Sequence, residues 1–557
     1  MDEFAEAQVL RGQGRHAEAI AVLSGIVQRT PADAEVWGAL GSSYFHLNKF
    51  DLACQAFERL VALAPAFAPA WNALGSSYFL QNKFDRARQA YERLIALVPG
   101  SAEAWNVLGN CRIAQGDIVG AIAAIDRARV LAPDSDEAAF NYLFYFAFHP
   151  SVTPQNLAQA NIEWGRDYTA RISQFVHAPA REARRPLRLG YVSYEFRAHV
   201  TSYFFEPIFQ RHDPARFETF IYSGNGSRDG TADRLRAHAQ HWCELDGTDP
   251  AEHARRIFKD RLDILVLASS YKAAYRRVMA FKPAPIQVCY HNLVSTTGLA
   301  AIDYLITEEA TDPTGIADSV YAEKLVRLSE RNCYAAPPDC PDVTPAPSSM
   351  VGAVTFGSFN NIAKITPDVV TLWARVLRAL PDARMVLKNI VPMTGPDDWS
   401  ILRSMFAAAG VSADRMTFMD FVRERSGHLA AYREIDIALD TFPFNGGTTS
   451  CDALWMGVPI VTRTGATFMN RQSESYLAKL GLPDLITRDD DGYVAAAVSL
   501  ARDPVRRARL RRTLRADMQR ALLPYDRHVR ELEDAYERMW RRHLDGLPPE
   551  AFTVGRT

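Results

Sequence analysis

The sequence predicts an α-helical superhelix followed by a pair of α/β domains, each built on a mostly parallel sheet. Three observations support this fold class. The first quarter of the chain repeats with a fixed period, short apolar runs alternate with helical segments from Leu187 onward, and a proline-rich stretch at residues 336–350 divides those runs into two sets. We therefore expect a repeat array and two sheet domains joined by a linker.

The composition is that of a soluble globular protein with several domains. The chain has 557 residues, enough for about three domains, of which 48% are hydrophobic and 23% charged. A net charge of −2 gives no electrostatic basis for bulk nucleic-acid binding, so no nucleic-acid partner is expected. Seven cysteines without a CxxC pair fit a reducing compartment and argue against a zinc site. Neither a signal-peptide pattern nor a membrane-spanning apolar run is found, which predicts a cytoplasmic protein.

The first 133 residues repeat with a period of 34. Each unit carries a tryptophan, a leucine and a glycine in its first half and an alanine, a bulky residue and a proline in its second half. These positions are Trp37, Leu40, Gly41, Ala53, Phe57 and Pro65, then Trp71, Leu74, Gly75, Ala87, Tyr91 and Pro99, then Trp105, Leu108, Gly109, Ala121, Ile125 and Pro133. This is the pattern of the tetratricopeptide repeat (TPR), whose paired helices stack into a right-handed superhelix. Residues 1–33 are interpreted as a degenerate first unit of about four, and the array is expected to bind a peptide or protein.

A helical junction is predicted between the repeats and the first α/β domain, over residues 134–185. Six aromatic residues cluster in its first half: Phe140, Tyr142, Phe144, Tyr145, Phe146 and Phe148. An aromatic stripe at helical spacing is usually core rather than a ligand site. We expect this segment to pack the repeats onto the domain that follows.

Strand-like runs place the two α/β domains at residues 186–335 and 351–530. The runs are residues 187–193, 217–223, 263–268, 285–290 and 303–307, then 353–359, 384–389, 415–419, 435–440 and 458–463. Two such domains joined by a linker predict a cleft, with ligands at the carboxyl ends of the strands. Arginine-rich helical segments follow over about residues 492–545, whose arginines are predicted to form a solvated face, and residues 531–557 form a last helix and tail.

One strand-to-helix turn is a candidate phosphate site. The sequence Gly446-Gly447-Thr448-Thr449 lies between the run at 435–440 and a helix that ends at Gly457. Glycine permits close approach of the backbone to a ligand, and a helix N-terminus offers N–H groups and the positive end of the helix dipole. Asp452, one turn into this helix, is placed to accept hydrogen bonds from a ribose. The alternative is an ordinary turn in which a threonine or serine caps the helix.

This motif and its context resemble the protein O-GlcNAc transferase family, glycosyltransferase family 41, to which SPINDLY-type protein fucosyltransferases also belong. The resemblance covers nearly the whole chain. The matching pieces are residues 187–193 through Phe196 and His199, Pro283-Ala284-Pro285-Ile286-Gln287, Thr297-Gly298, Asp303-Tyr304, Phe359-Asn360-Asn361 through Lys364, Leu439-Asp440-Thr441 and residues 445–455. The resemblance implies a TPR α-superhelix followed by the GT-B pair of Rossmann-like domains found in nucleotide-sugar glycosyltransferases.

The resemblance also implies roles for single residues. Lys364 resembles the lysine that neutralises the diphosphate, Thr448 and Thr449 resemble its hydroxyl and amide partners, and Asp452 matches the ribose-binding aspartate. Further nucleotide-contacting positions fall at Gly447, Asn361, His428 and Arg425, the last of which is a lysine in the family.

His199 matches a family histidine once favoured as the general base, a role that is debated. The alternative is a packed or capping histidine.

The sequence departs from the family pattern mainly where the family contacts the sugar. The family commonly has a histidine at the position of Gly447, whereas many bacterial and SPINDLY-like members have glycine there, as this chain does. Residues 290–294 and 270–272 also differ from the family segments. These changes predict a sugar pocket with His291, Asn292 and Lys272, and a donor sugar other than GlcNAc is the resulting hypothesis. Two cations there would favour an acidic sugar such as the nonulosonic acids of bacterial flagellins, whereas the alternative is two surface cations without such a role.

The expected function is inverting, metal-independent transfer of a sugar to serine or threonine of an acceptor protein chosen by the repeats. Positioned cations and N–H groups can stabilise a departing phosphate without a metal, so neither a metal nor another cofactor is expected. UDP-GlcNAc is the default donor. One alternative changes the donor to GDP-fucose or a CMP-linked nonulosonic acid, and another is a non-catalytic TPR scaffold that keeps only the fold.

Overall fold

The structure is a computed structural model that describes residues 3–178, 186–224, 226, 228–269, 273–291, 294–331, 333–337, 339–389 and 399–555. Helical repeats precede two domains with parallel sheets, which is the fold class that the sequence predicts. No helix within these residue ranges is long and apolar enough to cross a membrane.

Eight helices form four consecutive pairs at the N-terminus. They are α1 (Glu3–Gly12), α2 (His16–Arg29), α3 (Ala34–His46), α4 (Phe50–Leu63), α5 (Ala68–Leu80), α6 (Phe84–Leu97), α7 (Ala102–Ala114) and α8 (Ile118–Leu131). Each helix packs mainly on its neighbours in the chain, as in a repeat solenoid. The pair α1 and α2 lies within the residues interpreted as the degenerate first unit.

The repeated residues make contacts that explain the motif. In α5 the indole N–H of Trp71 donates to the carbonyl oxygen of Pro65, at 2.8 Å, and so ties the helix to the end of the preceding unit. A Cβ on Gly75 would lie 2.8 Å from the ring of Tyr91, so only glycine lets the two helices of this unit approach so closely. Equivalent contacts recur in the units on either side.

Two further helices, α9 (Asp136–Phe146) and α10 (Pro154–Thr169), join the repeats to the first α/β domain. The guanidinium of Arg276, from that domain, lies over the rings of Phe140 and Trp164, at 5.1 and 4.6 Å from their centroids. Phe148 stacks on Phe444 of the second domain, with the centroids 4.4 Å apart. The aromatic residues of this segment therefore belong to the core, as the sequence predicts.

Two glycines bring α10 into backbone contact with the first α/β domain. A Cβ on Gly165 would lie 2.0 Å from the carbonyl oxygen of Gly298. Gly298 has a φ of +73°, and a Cβ there would lie 2.0 Å from the carbonyl oxygen of Asn161. Both positions therefore require glycine.

The first α/β domain alternates strands and helices. Its strands are β1 (Leu187–Ser193), β2 (Phe217–Ser223), β3 (His241–Glu244), β4 (Ile264–Leu267), β5 (Ile286–Tyr290), β6 (Tyr304–Glu308) and β7 (Lys324–Leu328). Its helices are α11 (Ser202–Phe209), α12 (Gly230–Ala237), α13 (Pro250–Lys259) and α14 (Ala273–Ala280). Strands β4 and β5 are buried along their whole length, which is expected of a sheet covered on both faces.

The second α/β domain has a six-stranded parallel sheet in the order β10–β9–β8–β11–β12–β13. These strands are β8 (Thr355–Ser358), β9 (Arg384–Lys388), β10 (Met416–Met419), β11 (Ile437–Leu439), β12 (Ile460–Arg463) and β13 (Ile486–Thr487). The helices are α15 (Ser348–Val351), α16 (Pro367–Ala379), α17 (Ser400–Ala408), α18 (Arg425–Ala430), α19 (Thr448–Trp455), α20 (Gln472–Lys479), α21 (Asp490–Arg502) and α22 (Pro504–Leu522).

The C-terminal segment returns to the first α/β domain. Helix α23 (Tyr525–Leu544) packs on that domain, and β14 (Phe552–Thr553) pairs with β7, which gives the eight-stranded parallel order β14–β7–β6–β5–β4–β1–β2–β3. Glu533 of α23 accepts hydrogen bonds from Arg216 and from the backbone N–H of Asp213, at 2.9 and 2.8 Å. The last helix thus completes a domain that begins more than 300 residues earlier in the chain.

The prediction of a solvated arginine face near the C-terminus is wrong for part of this region. Arg507 and Arg511 of α22 are 6% and 3% exposed. Arg511 donates to the carbonyl oxygens of Thr344 and Ile435, at 2.8 and 2.9 Å, because α22 covers both the proline-rich segment and the entry to β11. A guanidinium can be buried in this way when backbone carbonyl groups accept its hydrogens.

We expect the substitution Gly165→Ala to lower the stability of the protein. Helix propensity alone favours alanine by about 1 kcal/mol, but the new Cβ would collide with the backbone at Gly298, so we expect a net loss of roughly 1–3 kcal/mol. Gly25→Ala, in α2, is the matched control because its Cβ would meet only the end of the Arg29 side chain, at 3.7 Å. Denaturant unfolding measures both, and equal stability changes for the two variants would contradict the prediction.

Candidate active site

One buried carboxylate shapes the loop between β11 and α19. Asp440 accepts hydrogen bonds from the backbone N–H groups of Thr441 and Gly446, at 2.9 and 2.8 Å, and from the hydroxyl group of Thr462, at 2.8 Å. Burial raises the pKa of Asp440, and the hydrogen bonds and Lys364 oppose this rise. Because both ends of the loop are bonded to one side chain, the loop has a fixed shape in front of the helix.

The glycine–threonine motif starts α19, so it lies in a strand-to-helix turn as predicted. The capping position is Gly447, and it has no side-chain cap, so neither a threonine nor a serine caps this helix. The Thr449 hydroxyl group donates to Asn360 Oδ1, at 2.9 Å, and Thr448 is the first residue of the helix. The N-terminal N–H groups of α19 therefore lie beside two threonines and a glycine.

Gln472 occupies the space beside Gly447. A Cβ on Gly447 would lie 3.0 Å from Gln472 Oε1, an atom that accepts a hydrogen bond from Arg331 at 3.1 Å. A histidine at this position would therefore require Gln472 to move.

Lys364 is held against the loop that precedes α19. It ends a short 3₁₀ turn after β8, which Asn361 caps by accepting a hydrogen bond from the N–H group of Ala363, at 3.0 Å. The Lys364 ammonium donates to the carbonyl oxygen of Asn445, at 2.8 Å, and lies 4.1 Å from the centroid of the Phe444 ring. Burial lowers the pKa of Lys364 to about 7, although the charge of Asp440 acts to raise it.

Asp452 is the centre of a buried polar cluster. The guanidinium of Arg425 donates to both carboxylate oxygens, with Nη1 2.7 Å from Oδ2, and the hydroxyl group of Tyr334 donates to Oδ1 at 2.7 Å. Burial alone would raise the pKa of Asp452, but the charge of Arg425 and a hydrogen bond from His428 hold it well below its usual range. The ring of Tyr203, from α11, lies under Arg425 at 4.6 Å. The cluster therefore joins the two α/β domains.

His428 links Asp452 to a second lysine. His428 Nε2 lies 3.4 Å from Asp452 Oδ2, and His428 Nδ1 lies 2.9 Å from Lys388 Nζ. Since an ammonium group can only donate, Nδ1 is the accepting nitrogen and Nε2 carries the proton. Burial lowers the pKa of His428, so the ring is neutral at pH 7 between a cation and an anion.

His199 lies in the first domain, just before α11. Its Nδ1 is 3.1 Å from Thr201 Oγ1 and 3.5 Å from Glu195 Oε2, and Glu195 itself is buried. These contacts orient the ring, as the packed or capping interpretation requires, and they do not assign the role of general base. His199 is four residues from Tyr203, whose ring contacts Arg425 across the domain boundary.

The predicted sugar-pocket residues are only partly described. His291 has a φ of +70°, is 3% exposed and lies against Phe204, with 4.1 Å between the ring centroids. Its ring thus packs among aromatic side chains of the first domain. Asn292 and Lys272 lie outside the described residues.

The structure brings most predicted site residues together at one edge of the second sheet. Lys364, Asn361, Gly447, Thr448, Thr449, Asp452, Arg425 and His428 follow the carboxyl ends of β8, β10 and β11. Sequence reasoning missed Lys388, Tyr334 and Tyr203. Lys388 could have been found as a charged residue at the end of a strand-like run, whereas no local pattern marks the two tyrosines.

Comparisons with known proteins find relatives for both parts of the chain. The sequence model of glycosyl transferase family 41 matches residues 169–334 and 348–529, and a tetratricopeptide repeat model matches residues 4–66 and 72–136. A protein of Oryza sativa subsp. japonica named probable UDP-N-acetylglucosamine–peptide N-acetylglucosaminyltransferase SPINDLY is 36% identical over 401 residues, which is 71% of this chain and 43% of that protein. A Solanum lycopersicum protein of the same name is 36% identical over 405 residues, again 71% of this chain and 43% of that protein.

A solved structure extends the likeness to almost the whole chain. A mutant of the Thermobaculum terrenum O-GlcNAc transferase is 33% identical, with a TM-score of 0.81, over 96% of this chain and 99% of that one. By contrast, the chain spans about 43% of the length of the plant relatives named above. The family matches cover both α/β domains, and the chain therefore belongs to glycosyl transferase family 41, as its sequence resemblance predicts.

Proposed function

We propose that the protein transfers a sugar from a nucleotide donor to serine or threonine of an acceptor protein, with inversion and without a metal ion. The observation that carries this proposal is the position of Lys364. Its ammonium donates to the loop that leads directly into the N-terminus of α19, so a cation lies beside a helix end whose first N–H groups have no intrahelical partner.

This arrangement suits a departing nucleoside diphosphate. When the bond between sugar and phosphate breaks, negative charge develops on the phosphate oxygens, and preorganised donors lower the free energy of that transition state. Lys364 would supply the positive charge, and the N-terminus of α19 with Thr448 and Thr449 would supply N–H and O–H donors. Asp452 and its cluster would hold the nucleoside beyond the phosphates.

The donor proposed first is UDP-GlcNAc. The names of the plant relatives specify UDP-N-acetylglucosamine, and the similar solved structure is named an O-GlcNAc transferase. GDP-fucose remains the alternative that the SPINDLY resemblance raises. A CMP-linked acidic sugar on flagellin has less support, because His291 is buried against Phe204 and offers no exposed cation.

The TPR array is proposed to select the acceptor protein. Helices α9 and α10 fix the array on the α/β domains through aromatic packing and the glycine contact. An acceptor bound by the repeats would therefore be held at a set position relative to the transfer site, which raises its effective concentration there. We place this reaction in the cytoplasm.

We expect Lys364→Met to remove transfer while the fold is retained. Loss of one preorganised charge at a transition state lowers kcat by roughly 10²–10³-fold. Release of UDP from UDP-GlcNAc, measured with acceptor protein or as slow hydrolysis, reports the effect. Lys259→Met is the control, because that lysine is exposed on α13.

If neither the wild type nor Lys364→Met turns over UDP-GlcNAc or GDP-fucose while both bind a protein partner, the scaffold alternative replaces the enzyme.

Donor affinity is expected to fall as pH rises through about 7. A lysine is charged below its pKa, and burial lowers that of Lys364 to about 7, so the unliganded protein loses this charge as the pH increases. Binding of a diphosphate keeps the lysine charged, and the affinity for UDP-GlcNAc therefore falls by roughly tenfold or more between pH 6.5 and 8.5.

Lys364→Arg is the matched control for this experiment, because a guanidinium stays charged throughout the range. Lys388, whose pKa burial lowers to about 8, titrates in both proteins, so the difference in slope isolates Lys364. Calorimetric titration measures both affinities. Equal pH slopes in the two proteins would contradict the prediction.

A further inference from the structure

The residues of the candidate site lie in a row along the carboxyl ends of the strands of the second sheet. The phosphate-binding elements follow β11, Asn360 follows the neighbouring strand β8, and Lys388 ends the next strand outward, β9. On the helical side, Asp452 of α19 and His428 of α18 lie between these two ends, since His428 contacts both Asp452 and Lys388. A nucleotide with its phosphates at α19 would therefore extend its ribose and base toward Lys388.

Lys388 is a buried cation whose N–H donors are not all used by the protein residues that the structure describes. The residue is 1% exposed, and within the described part of the chain its one hydrogen bond goes to His428 Nδ1. The rings of Phe359 and Phe421 lie 5.9 Å from Nζ and contribute no acceptor oxygen. An ammonium group has three N–H donors, so two remain for a ligand. Burial of a cation with unused donors is costly unless a further acceptor satisfies them.

We propose that Lys388 selects the nucleobase of the donor by donating to a keto oxygen. This inference rests on the proposed function and narrows its substrate class to sugar nucleotides of uracil or guanine.

The chemistry of the bases makes this a discriminating contact. Uracil and guanine present a carbonyl oxygen at the position where cytosine and adenine carry an amino group. An ammonium group can donate to the first pair, whereas it faces another donor in the second pair and both groups are left unpaired. A site built around a buried donor rejects a ligand that lacks the matching acceptor.

The neighbouring groups keep Lys388 in place for this role. Burial lowers the pKa of Lys388 to about 8, Asp452 acts to raise it and Arg425 acts to lower it, so the ammonium form prevails at pH 7. His428 accepts one of its hydrogens and thereby fixes the direction of the ammonium group. A keto oxygen would add a second acceptor to this arrangement.

The test is a calorimetric titration of the whole protein at pH 7 with UDP, CDP, GDP and ADP. The size-matched comparisons are UDP with CDP and GDP with ADP. For the wild type we expect the better keto nucleotide to bind at least about tenfold more tightly than its amino counterpart. In Lys388→Met this ratio should fall to within about threefold, and in Lys388→Arg it should persist because the cation remains.

A purely structural role for Lys388 would weaken all four nucleotides equally and leave the ratio unchanged, which would overturn the inference. Lys388→Gln is a second variant for the case in which the methionine variant does not fold, since an amide can donate or accept and should also abolish the preference.

A wild type that binds keto and amino nucleotides equally would overturn the inference while the proposed function stands. A wild type that binds none of the four would overturn the proposed function, and this inference with it.

Discussion

The buried carboxylate of Asp452 is the interaction on which the candidate site depends most. Its partners come from separate parts of the chain: Arg425 and His428 from α18, and Tyr334 from the segment that follows β7 in the first domain. Breaking a buried ion pair by removing one partner typically costs about 3–5 kcal/mol, because the other charge is left without compensation. Asp452 therefore acts as a joint between the two α/β domains as well as a candidate ligand group.

This joint also constrains how Asp452 can meet a ribose. Its two oxygens already accept from Arg425, Tyr334 and His428, and a carboxylate has about four acceptor positions. A ribose hydroxyl group would have to displace one of these donors or share an oxygen with it. The planar fork of Arg425 matches the carboxylate and donates to both of its oxygens, a geometry that a lysine ammonium group does not reproduce.

Much of the fold could be predicted because its signals are local. The tryptophan of a repeat donates a hydrogen bond to the proline that ends the preceding repeat, so the spacing of these two residues reflects a contact in the folded protein. Strands such as Leu187–Ser193 and Phe217–Ser223 are rich in apolar residues and buried at six of their seven positions, because both faces of their sheet are covered. In contrast, His241–Glu244 is a half-exposed edge strand and Phe552–Thr553 has two residues, so neither carries a strong apolar pattern.

The candidate site was predictable to a similar extent and for a similar reason. The glycine and threonine residues at the N-terminus of a helix are neighbours in the sequence, so the sequence alone reveals this part of the candidate site. Tyr334 lies 118 positions before Asp452, and its contribution arises only when the domains meet. The prediction for the arginines of α22 was wrong because a series of charged residues usually indicates exposure to solvent. Arg511 is buried because the backbone carbonyl group of Ile435 accepts its hydrogen bond, and this contact exists only in the tertiary structure.

The return of α23 to the first domain has a consequence for synthesis of the chain. A ribosome releases residues 186–335 long before it makes Glu533, which bonds to Arg216 and Asp213, and before β14 can cover the edge at β7. The first sheet therefore lacks β14 beside β7, and one of its edges stays uncovered, while the second domain is translated. During that interval the uncovered edge is a site where a chaperone can bind. A fragment designed to contain the first domain alone needs the final thirty or so residues as well.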